Sequence, residues 1–376
     1  MQYLKKLIRK IVVLLSKPTI VFESFPDFSD NTYAVYREMV ARKLQKKYQF
    51  VWLNKDGVYV QIKERKGKTH VHRISHVGRF KTVSIAYKTR AVICCNRYTN
   101  SSTKDAKIFY LTHGTPIKKT YYPCPSYVDY FICQGEKIKD VYVNEFNVPS
   151  SKIISLGFPR NDSLLKPQRD VRRILKTKCN KVLVWFPTFR QHFASDTLYS
   201  SPALPIIHDT KKAQILNDTL RALNVLIVLK PHFSQDTSYI QQLNLSNICF
   251  IDDSFFSKND ILTYEFVAGC DALLTDYSSI YFDYLLCDKP IGAVWEDFEI
   301  YCRSPGFSLD VNYYMKGAHK IYSLEDLIRF VHMVVGGTDN LRHEREEIRA
   351  LIAYDGNKNS ATMVTDFILS HFFDCG

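Results

Sequence analysis

Several motifs that mark common classes of enzyme are absent from this chain of 376 residues. It has no G-x-G-x-x-G, no Walker A sequence and no H-E-x-x-H, so the usual dinucleotide, nucleoside-triphosphate and zinc-protease sites are not predicted. The absence of a D-x-D pair argues against a metal-dependent nucleotide-sugar transferase of the single-domain type. His70 and His72 form an H-x-H, which we interpret as solvated loop residues, and no metal site is predicted.

Long apolar runs are also absent. The longest apolar stretch of the N-terminus lies in Met1 to Ser16 and is far shorter than the ~18 residues that a membrane-spanning helix needs. That segment mixes basic and aliphatic residues, which predicts a basic amphipathic helix lying on an anionic membrane. A surface helix that packs on the first domain is an equally good interpretation.

The ten cysteines include no C-x-x-C pair, and no secretory signal precedes them. We therefore expect reduced thiols rather than a disulfide framework. The 24 Tyr and 24 Phe predict an aromatic-rich core, although sugar-stacking surfaces are an alternative.

The charge is strongly unbalanced, with a formal net value of +13. Such a chain favours a polyanionic partner, which is nucleic acid, an anionic membrane or a phosphorylated substrate. The basic residues are scattered, and none of the usual nucleic-acid-binding motifs is present. We therefore do not expect a nucleic-acid partner, although a basic nucleic-acid-binding protein stays an alternative of another class.

Short apolar runs alternate with helical patterns along most of the chain, which predicts an α/β protein with parallel sheets covered by helices. The pattern forms two blocks, with a break near Gly157 to Gln168. We expect a membrane-associating helix over 1–16 and two doubly wound, Rossmann-like domains facing a cleft, over 17–165 and 166–376, the second with closing helices. Ligands of such sheets bind at the carboxyl ends of the strands.

A loop between a buried strand and a helix provides the first candidate site. The strand ends at Thr275, and the sequence Asp276-Tyr277-Ser278-Ser279 follows, with Asp276 or Ser278 as the expected N-cap. The unpaired N–H groups of the first helical turn, its dipole and two hydroxyls are suited to a diphosphate. A plain helix cap fits the same residues.

A histidine at another predicted strand end provides the second site. The strand Ile108 to Leu111 leads into Thr112-His113-Gly114-Thr115-Pro116, and two lysines follow. A histidine with an unperturbed pKa of about 6.5 can take a proton from an attacking hydroxyl. A structural histidine is the alternative.

Three further segments follow the same pattern. Val225 to Leu229 leads into Lys230-Pro231-His232, and Val182 to Trp185 leads into Pro187-Thr188-Phe189-Arg190. Their cations can offset charge on a leaving diphosphate. Gly157-Phe158-Pro159-Arg160-Asn161-Asp162 lies at the predicted domain junction, where an interdomain turn is the alternative.

Together these segments resemble the CDP-glycerol glycerophosphotransferase family, which primes and polymerises teichoic acids and related capsule polymers. The opening Phe22-Glu23-Ser24-Phe25, the following Ser29-Asp30-Asn31 and the closing Asp355-Gly356-Asn357 also resemble the family. Each motif alone has low specificity, but the ordered set, which spans nearly the whole chain, is specific.

The resemblance implies a GT-B-like fold, a CDP-glycerol or CDP-ribitol donor, and a lipid-linked acceptor reached from the cytoplasmic face of the membrane by peripheral attachment. It assigns the catalytic roles to His113, as base, and to His232. The residues that it implies for donor binding are Thr188, Arg190, Lys230, Asp276, Ser278, Ser279 and Asp283. The acceptor-side or interdomain residues are Gly114, Thr115, Lys118, Lys119, Arg160, Asn161 and Asp162.

The hypothesis that follows is an in-line attack by an acceptor hydroxyl on the polyol-linked phosphorus, with CMP as leaving group. The CDP-polyol is a substrate, so no cofactor is predicted to be required. The pattern is compatible with catalysis in the presence or in the absence of Mg²⁺. A GT-B glycosyltransferase that uses a nucleotide sugar is the alternative within the same fold.

Overall fold

In this computed structural model, the structure describes residues 17–64, 72–101, 103, 105–120, 122–166, 169–188, 204–231, 237–352 and 359–373. The chain forms two units. The first contains Met1–Thr115, Tyr122–Asp162 and Ala353–Gly376, and the second contains Pro116–Tyr121 and Ser163–Ile352. The predicted N-terminal helix over 1–16 lies outside the described residues.

The first unit is built on an eight-stranded sheet in the order β4-β3-β2-β1-β5-β6-β7-β8. Its strands are β1 (Thr19–Glu23), β2 (Gln49–Leu53), β3 (Tyr59–Glu64), β4 (His72–His76), β5 (Thr89–Cys94), β6 (Lys107–Leu111), β7 (Tyr130–Cys133) and β8 (Ile153–Ser155). Its helices are α1 (Asp30–Ala41), α2 (Arg79–Lys88), α3 (Lys139–Phe146) and α14 (Ser360–Phe373), with short 3₁₀ turns at Leu44–Lys46, Glu136–Ile138 and Ser150–Lys152. Only β3 and β4 run antiparallel to their neighbours. The sheet is therefore a parallel Rossmann-like sheet with an added hairpin at one edge.

The second unit has a six-stranded parallel sheet in the order β11-β10-β9-β12-β13-β14. Its strands are β9 (Lys181–Trp185), β10 (Val225–Leu229), β11 (Ile248–Phe250), β12 (Ala272–Thr275), β13 (Ile291–Val294) and β14 (His319–Ile321). Its helices are α4 (Val171–Leu175), α5 (Thr210–Ala222), α6 (Ser238–Gln241), α7 (Asp253–Lys258), α8 (Thr263–Gly269), α9 (Ile280–Tyr284), α10 (Phe298–Arg303), α11 (Val311–Tyr314), α12 (Leu324–Gly336) and α13 (Arg342–Ile352). A 3₁₀ turn at Leu285–Cys287 extends α9, and another covers Pro159–Ser163 at the boundary between the units.

Burial on both faces explains why the central strands are continuous apolar runs. All five residues of β10 are buried, and the same is true of β1. Helices cover both faces of a parallel sheet, so alternating polar positions are not needed there. This pattern is the reason that the central strands were predicted within one or two residues of their observed bounds.

The core of the first unit is rich in aromatic side chains, as predicted. Phe22 lies with its ring centroid 5.3 Å from that of Tyr36 and 5.9 Å from that of Trp52. The nine cysteines within the described residues are all free. Within the same residues, no helix is both long enough and apolar enough to cross a membrane.

The observed units differ from the predicted boundaries of 17–165 and 166–376 at two places. The last helix, α14, belongs to the first unit because Val364 and Ile368 are buried in that core. Asp162 also fixes the start of this helix, since its carboxylate accepts hydrogen bonds from Ser360 N (2.9 Å) and Ala361 N (2.8 Å).

The second difference is the segment 116–121, which was expected in the first domain and groups with the second unit. It pairs there through its backbone. Ser308 N donates to Ile117 O at 2.8 Å, and Lys119 N donates to Gly306 O at 3.1 Å.

Candidate active site

His113 lies in the loop directly after β6, at the carboxyl end of the strand, as predicted. The preceding residue, Thr112, is held by two hydrogen bonds. Asn31 Nδ2 donates to Thr112 O at 2.7 Å, and Thr112 Oγ1 donates to Ile132 O at 2.9 Å. These bonds fix the start of the loop, so the imidazole is presented from a rigid support.

The side chain of His113 is paired with a buried carboxylate. Its Nδ1 contacts Asp30 Oδ2, and Arg160 Nη1 donates to the other oxygen, Asp30 Oδ1, at 2.7 Å. The Asp30 side chain is 7% exposed and that of Arg160 is 6%, whereas His113 is 65% exposed. Only Nδ1 of His113 has a partner among the described residues, so the other nitrogen, Nε2, is accessible for chemistry.

The charge of Asp30 is stabilised by its surroundings. Burial by itself raises the pKa of this carboxyl, but the positive charge of Arg160 and the contact with His113 outweigh it and hold the pKa well below its usual range. Asp30 is therefore ionised at neutral pH. A carboxylate on Nδ1 favours the tautomer with hydrogen on Nδ1, which leaves a lone pair on Nε2.

The backbone of Asp30 has a φ of 61°, in the left-handed region that a non-glycine residue seldom occupies. Local bonds compensate for this strain, since Asn31 N donates to Asp30 Oδ1 at 2.7 Å. Asn96 Nδ2 also lies 3.5 Å from Asp30 Oδ2. Strained residues held by several contacts are common at functional sites.

The side chains of Asp30, Cys95 and His113 also lie close enough to one another to be considered as metal ligands. The chemistry of this donor set is unfavourable for a cation. Burial raises the pKa of the Cys95 thiol well above its usual value, and a thiolate is the form that binds metal. The Arg160 guanidinium already occupies one oxygen of Asp30, so we interpret the group as a hydrogen-bonded cluster.

Other residues of the predicted acceptor side support this cluster. Thr115 is buried and donates to Gln134 Oε1 at 2.7 Å, which anchors the far end of the loop that includes the half-buried Gly114. Arg160 N donates to Asn31 Oδ1 at 3.1 Å, which ties the segment of Arg160, Asn161 and Asp162 to the start of α1. Lys118 and Lys119, which were predicted on the acceptor side, are in the segment that groups with the second unit.

In the second unit, the loops after β9 and β12 are joined by Asp276. Its carboxylate accepts hydrogen bonds from Thr188 N (2.8 Å), from Thr188 Oγ1 and from Tyr277 N (2.7 Å). Asp276 is completely buried. The structure therefore brings together two of the predicted donor-binding segments, with Asp276 as their connector.

The helix that follows begins one residue later than expected. Its N-cap is Ser279, which makes no side-chain cap bond, so the prediction that Asp276 or Ser278 caps this helix is wrong. The reason is that the Asp276 carboxylate is used by Thr188 and Tyr277. Ser278 and Ser279 are partly exposed at the first turn.

Two predicted donor-binding side chains have partners within the second unit. Asp283 is buried and accepts from Tyr264 OH at 2.6 Å, which favours a role in fixing α9. Lys230 follows β10 and lies 3.0 Å from Asp253 Oδ1. Arg190 and His232 lie outside the described residues.

Asp30 is the residue that the sequence did not single out as a site residue, although the segment Ser29-Asp30-Asn31 was noted. Its partners His113 and Arg160 are 83 and 130 positions away in the chain. The sequence feature that indicates a site residue here is the position of Asp30 after the first strand, because ligands of doubly wound sheets bind where the strands end.

With this geometry established, comparison with known proteins identifies the family. The model of the family described as CDP-Glycerol:Poly(glycerophosphate) glycerophosphotransferase matches residues 6–370. The chain belongs to this family. It is therefore a polyol-phosphate transferase, which confirms the activity class implied by the sequence.

Curated members of the glycerophosphotransferase family resemble this chain over most of its length. The teichoic acid glycerol-phosphate transferase of Staphylococcus aureus (strain NCTC 8325 / PS 47) is 26% identical over 318 residues, which are 74% of this chain and 74% of that protein. The teichoic acid poly(glycerol phosphate) polymerase of Bacillus spizizenii (strain ATCC 23059 / NRRL B-14472 / W23) is 24% identical over 328 residues, 78% of each.

Among solved structures, the wall teichoic acid polymerase TagF is similar in fold. It superposes with a TM-score of 0.71 at 19% identity, covering 99% of this chain and 97% of that one. This likeness confirms the GT-B-like fold class expected from the sequence.

Proposed function

We propose that this protein transfers glycerol phosphate, or another polyol phosphate, from a CDP-polyol to a polymer or lipid-linked acceptor in the synthesis of a teichoic-acid or capsule-like polymer. The family and the names of its curated relatives support the donor and the polymer class. A histidine-to-asparagine variant of TagF has been soaked with CDPG. The observation that carries the chemistry is the contact of the buried Asp30 carboxylate with His113 Nδ1.

His113 is the general base in this proposal. Its Nε2 takes the proton of the acceptor hydroxyl as that oxygen forms a bond to the polyol-linked phosphorus of the donor. The bond between this phosphorus and the bridging oxygen breaks, and CMP leaves with the electron pair. A positioned base contributes about 10²–10⁴-fold to such a step.

Asp30 is a positioning residue for His113. It keeps hydrogen on Nδ1, so that the lone pair of Nε2 is available, and it stabilises the imidazolium that forms when the proton arrives. Arg160 holds the carboxylate in place from its second oxygen. Neither group needs to contact the substrate.

The second unit binds the donor in this proposal. The first-turn N–H groups and hydroxyls of Ser278 and Ser279 are suited to the diphosphate, and Thr188 and Lys230 lie at neighbouring strand ends. Arg190 and His232 complete the proposed donor set by the family resemblance. Phosphoryl transfer depends mainly on positioning and charge stabilisation, which this set provides.

We further propose that the enzyme works at the cytoplasmic face of the membrane as a peripheral protein. The net charge of +13 and the basic residues of 1–16 support attraction to an anionic surface. Binding to vesicles with and without anionic lipid tests this part. Equal, weak binding to both would contradict it.

The substrate proposal is tested by product mass. Purified protein is incubated with a synthetic lipid-linked acceptor and, in separate reactions, with CDP-glycerol, CDP-ribitol and several nucleotide sugars. The expected products carry one or more polyol-phosphate units and form together with CMP. Products that carry a sugar, or no product from either CDP-polyol, would contradict the proposal.

A further inference from the structure

A second group of side chains lies at the carboxyl end of the first sheet and has no part in the chemistry described above. It consists of Glu23, Phe25 and Arg97, and we call it the Phe25–Arg97 platform. Phe25 follows β1, and Arg97 follows β5. The sheet order places β1 between β2 and β5, so the chain reverses its direction of growth between β1 and β5. Such a switch point is where doubly wound sheets bind ligands.

The exposed part of the platform is a cation on an aromatic ring. The Arg97 guanidinium carbon lies 4.6 Å from the centroid of the Phe25 ring. Phe25 is 40% exposed, although it is a large apolar side chain. Arg97 makes no hydrogen bond or ion pair with any other residue in the described parts of the chain, so its donors are available to an anion.

The buried part is a carboxyl group whose Oε2 has no hydrogen-bond partner among the described residues. Glu23 is 6% exposed, and its Oε2 is fully buried with no partner in the described structure. Burial raises the pKa of Glu23 to about 7, although the charge of Arg97 opposes this. A carboxyl group beside a cation and an aromatic face is able to bind a hydroxyl of a polyol. The nearby Asp27 is already engaged, since it accepts from Lys55 N at 2.9 Å.

The platform is linked directly to the His113 cluster. Asn96 Nδ2 donates to Phe25 O and lies 3.5 Å from Asp30 Oδ2, and Asp30 contacts His113. Asn96 itself has a φ of 70°, so the turn between β5 and Arg97 has an uncommon, defined shape. One polar residue therefore fixes the position of the platform relative to the proposed base.

We infer that the Phe25–Arg97 platform is an acceptor subsite, in which Arg97 binds the terminal phosphate of a polyol-phosphate chain while its end hydroxyl lies at His113. This inference rests on the proposed function. A guanidinium binds phosphate through two parallel hydrogen bonds, the Phe25 face covers the carbon chain, and Glu23 binds a polyol hydroxyl. The substrate class is an acceptor that already ends in a polyol phosphate.

Steady-state kinetics with two synthetic acceptors test the inference. One acceptor ends in a polyol phosphate and the other lacks that terminal phosphate. Arg97→Ala is expected to raise the KM for the first acceptor about tenfold or more, with little change for the second and for the CDP-polyol, because one charge-assisted contact is lost. Arg97→Lys keeps the charge but loses the paired hydrogen bonds, so an intermediate KM is expected.

Arg90→Ala is the matched control. Arg90 lies at the opposite, amino end of β5, and its Nη1 donates to two nearby carbonyls, Tyr87 O and Thr89 O. It should leave both KM values unchanged. Equal acceptor KM values for Arg97→Ala and Arg90→Ala, or an effect of Arg97→Ala on the CDP-polyol alone, would overturn the subsite. Failure of the proposed function is distinct, because the wild-type protein would then form no product from any CDP-polyol.

Discussion

The loops at the carboxyl ends of the strands are built differently in the two units. In the first unit, they hold a buried carboxylate between a guanidinium and an exposed imidazole. In the second unit, the buried carboxylate of Asp276 accepts hydrogen bonds from the backbone N–H groups of Thr188 and Tyr277 and from the Thr188 hydroxyl. The first arrangement is suited to moving a proton, and the second is suited to holding loops whose N–H groups meet a diphosphate.

One sheet architecture therefore supports two kinds of loop arrangement. Both units place polar residues where parallel strands end. A carboxylate partner controls the tautomer of a histidine, whereas backbone N–H groups that donate to a carboxylate are fixed in position by it. Substitutions in the first unit should therefore change the rate of the chemical step, and those in the second should change donor affinity.

The largest effect is expected from Asp30→Asn. The amide can donate to Nδ1, which places hydrogen on Nε2 and removes the lone pair that takes the proton. We expect kcat to fall roughly 10²–10³-fold with donor KM little changed. The free energy of unfolding should fall by about 3 kcal/mol, because the buried Arg160 loses its ion pair with Asp30. Steady-state kinetics and urea unfolding measure the two quantities.

Asp129→Asn is the control for that variant. Asp129 lies near the opposite end of β6, where it accepts from Ile108 N at 2.9 Å. It should cost some stability and leave kcat unchanged. A similar kcat for Asp30→Asn and Asp129→Asn would contradict the role of Asp30 in the chemical step, because Asp30 would then have only a structural role. Nitrogen chemical shifts of His113 give a second readout, since the tautomer should change in Asp30→Asn.

A smaller effect, on stability, is expected from Glu23→Gln. Burial raises the pKa of Glu23 from 4.5 to about 7 in the folded protein, so the folded state keeps a proton that the unfolded chain releases. The free energy of unfolding of the wild type should therefore fall as pH rises through this window. Between pH 5 and pH 8, the Gln variant should gain on the order of 2 kcal/mol relative to the wild type.

Urea unfolding of the two proteins at several pH values measures this difference. The sign is the decisive part: the Gln variant must become relatively more stable as pH rises. A constant difference from pH 5 to pH 8 would contradict the buried, protonated state of Glu23.

The smallest effect is expected from Thr188→Val in the second unit. The change removes the hydroxyl that donates to Asp276 Oδ1 and keeps the size of the side chain. The loop after β9 should become less fixed, so we expect the donor KM to rise about tenfold and kcat to change little. Thr219→Val is the control, because Thr219 donates only to Ile215 O within α5. A fall in kcat without a change in donor KM would contradict the assignment of donor binding to the second unit.

The strands that were predicted correctly are those determined by local sequence patterns. Apolar runs buried on both faces, such as Val225–Leu229, were recognised because periodicity and length agree. The short run Val83 to Ala86, which its length and β-branched residues predict to be a strand, lies instead inside the helix Arg79–Lys88. A run of four residues is too short to distinguish a strand from part of a helix, and tertiary contacts determine which one forms.

The candidate site was predicted in part. The position of His113 after its strand follows from the alternation of strands and helices. Its pairing with Asp30 depends on contacts between distant parts of the chain, and the same is true of Asp276 with Thr188, which are 88 positions apart. Domain assignment failed for α14 for a similar reason, because its burial against the first core is a tertiary property. Local patterns do not contain these contacts.

The most direct test of the account is single-turnover formation of CMP by His113→Ala at saturating CDP-polyol and acceptor. His76→Ala is the control, since His76 is an exposed histidine of the same unit on the edge strand β4. We predict that His113→Ala binds the donor with the affinity of the wild type, measured by calorimetry, and forms CMP at least about 10²-fold more slowly. A rate for His113→Ala within a few-fold of the wild type and of His76→Ala would contradict the assignment of the base to His113.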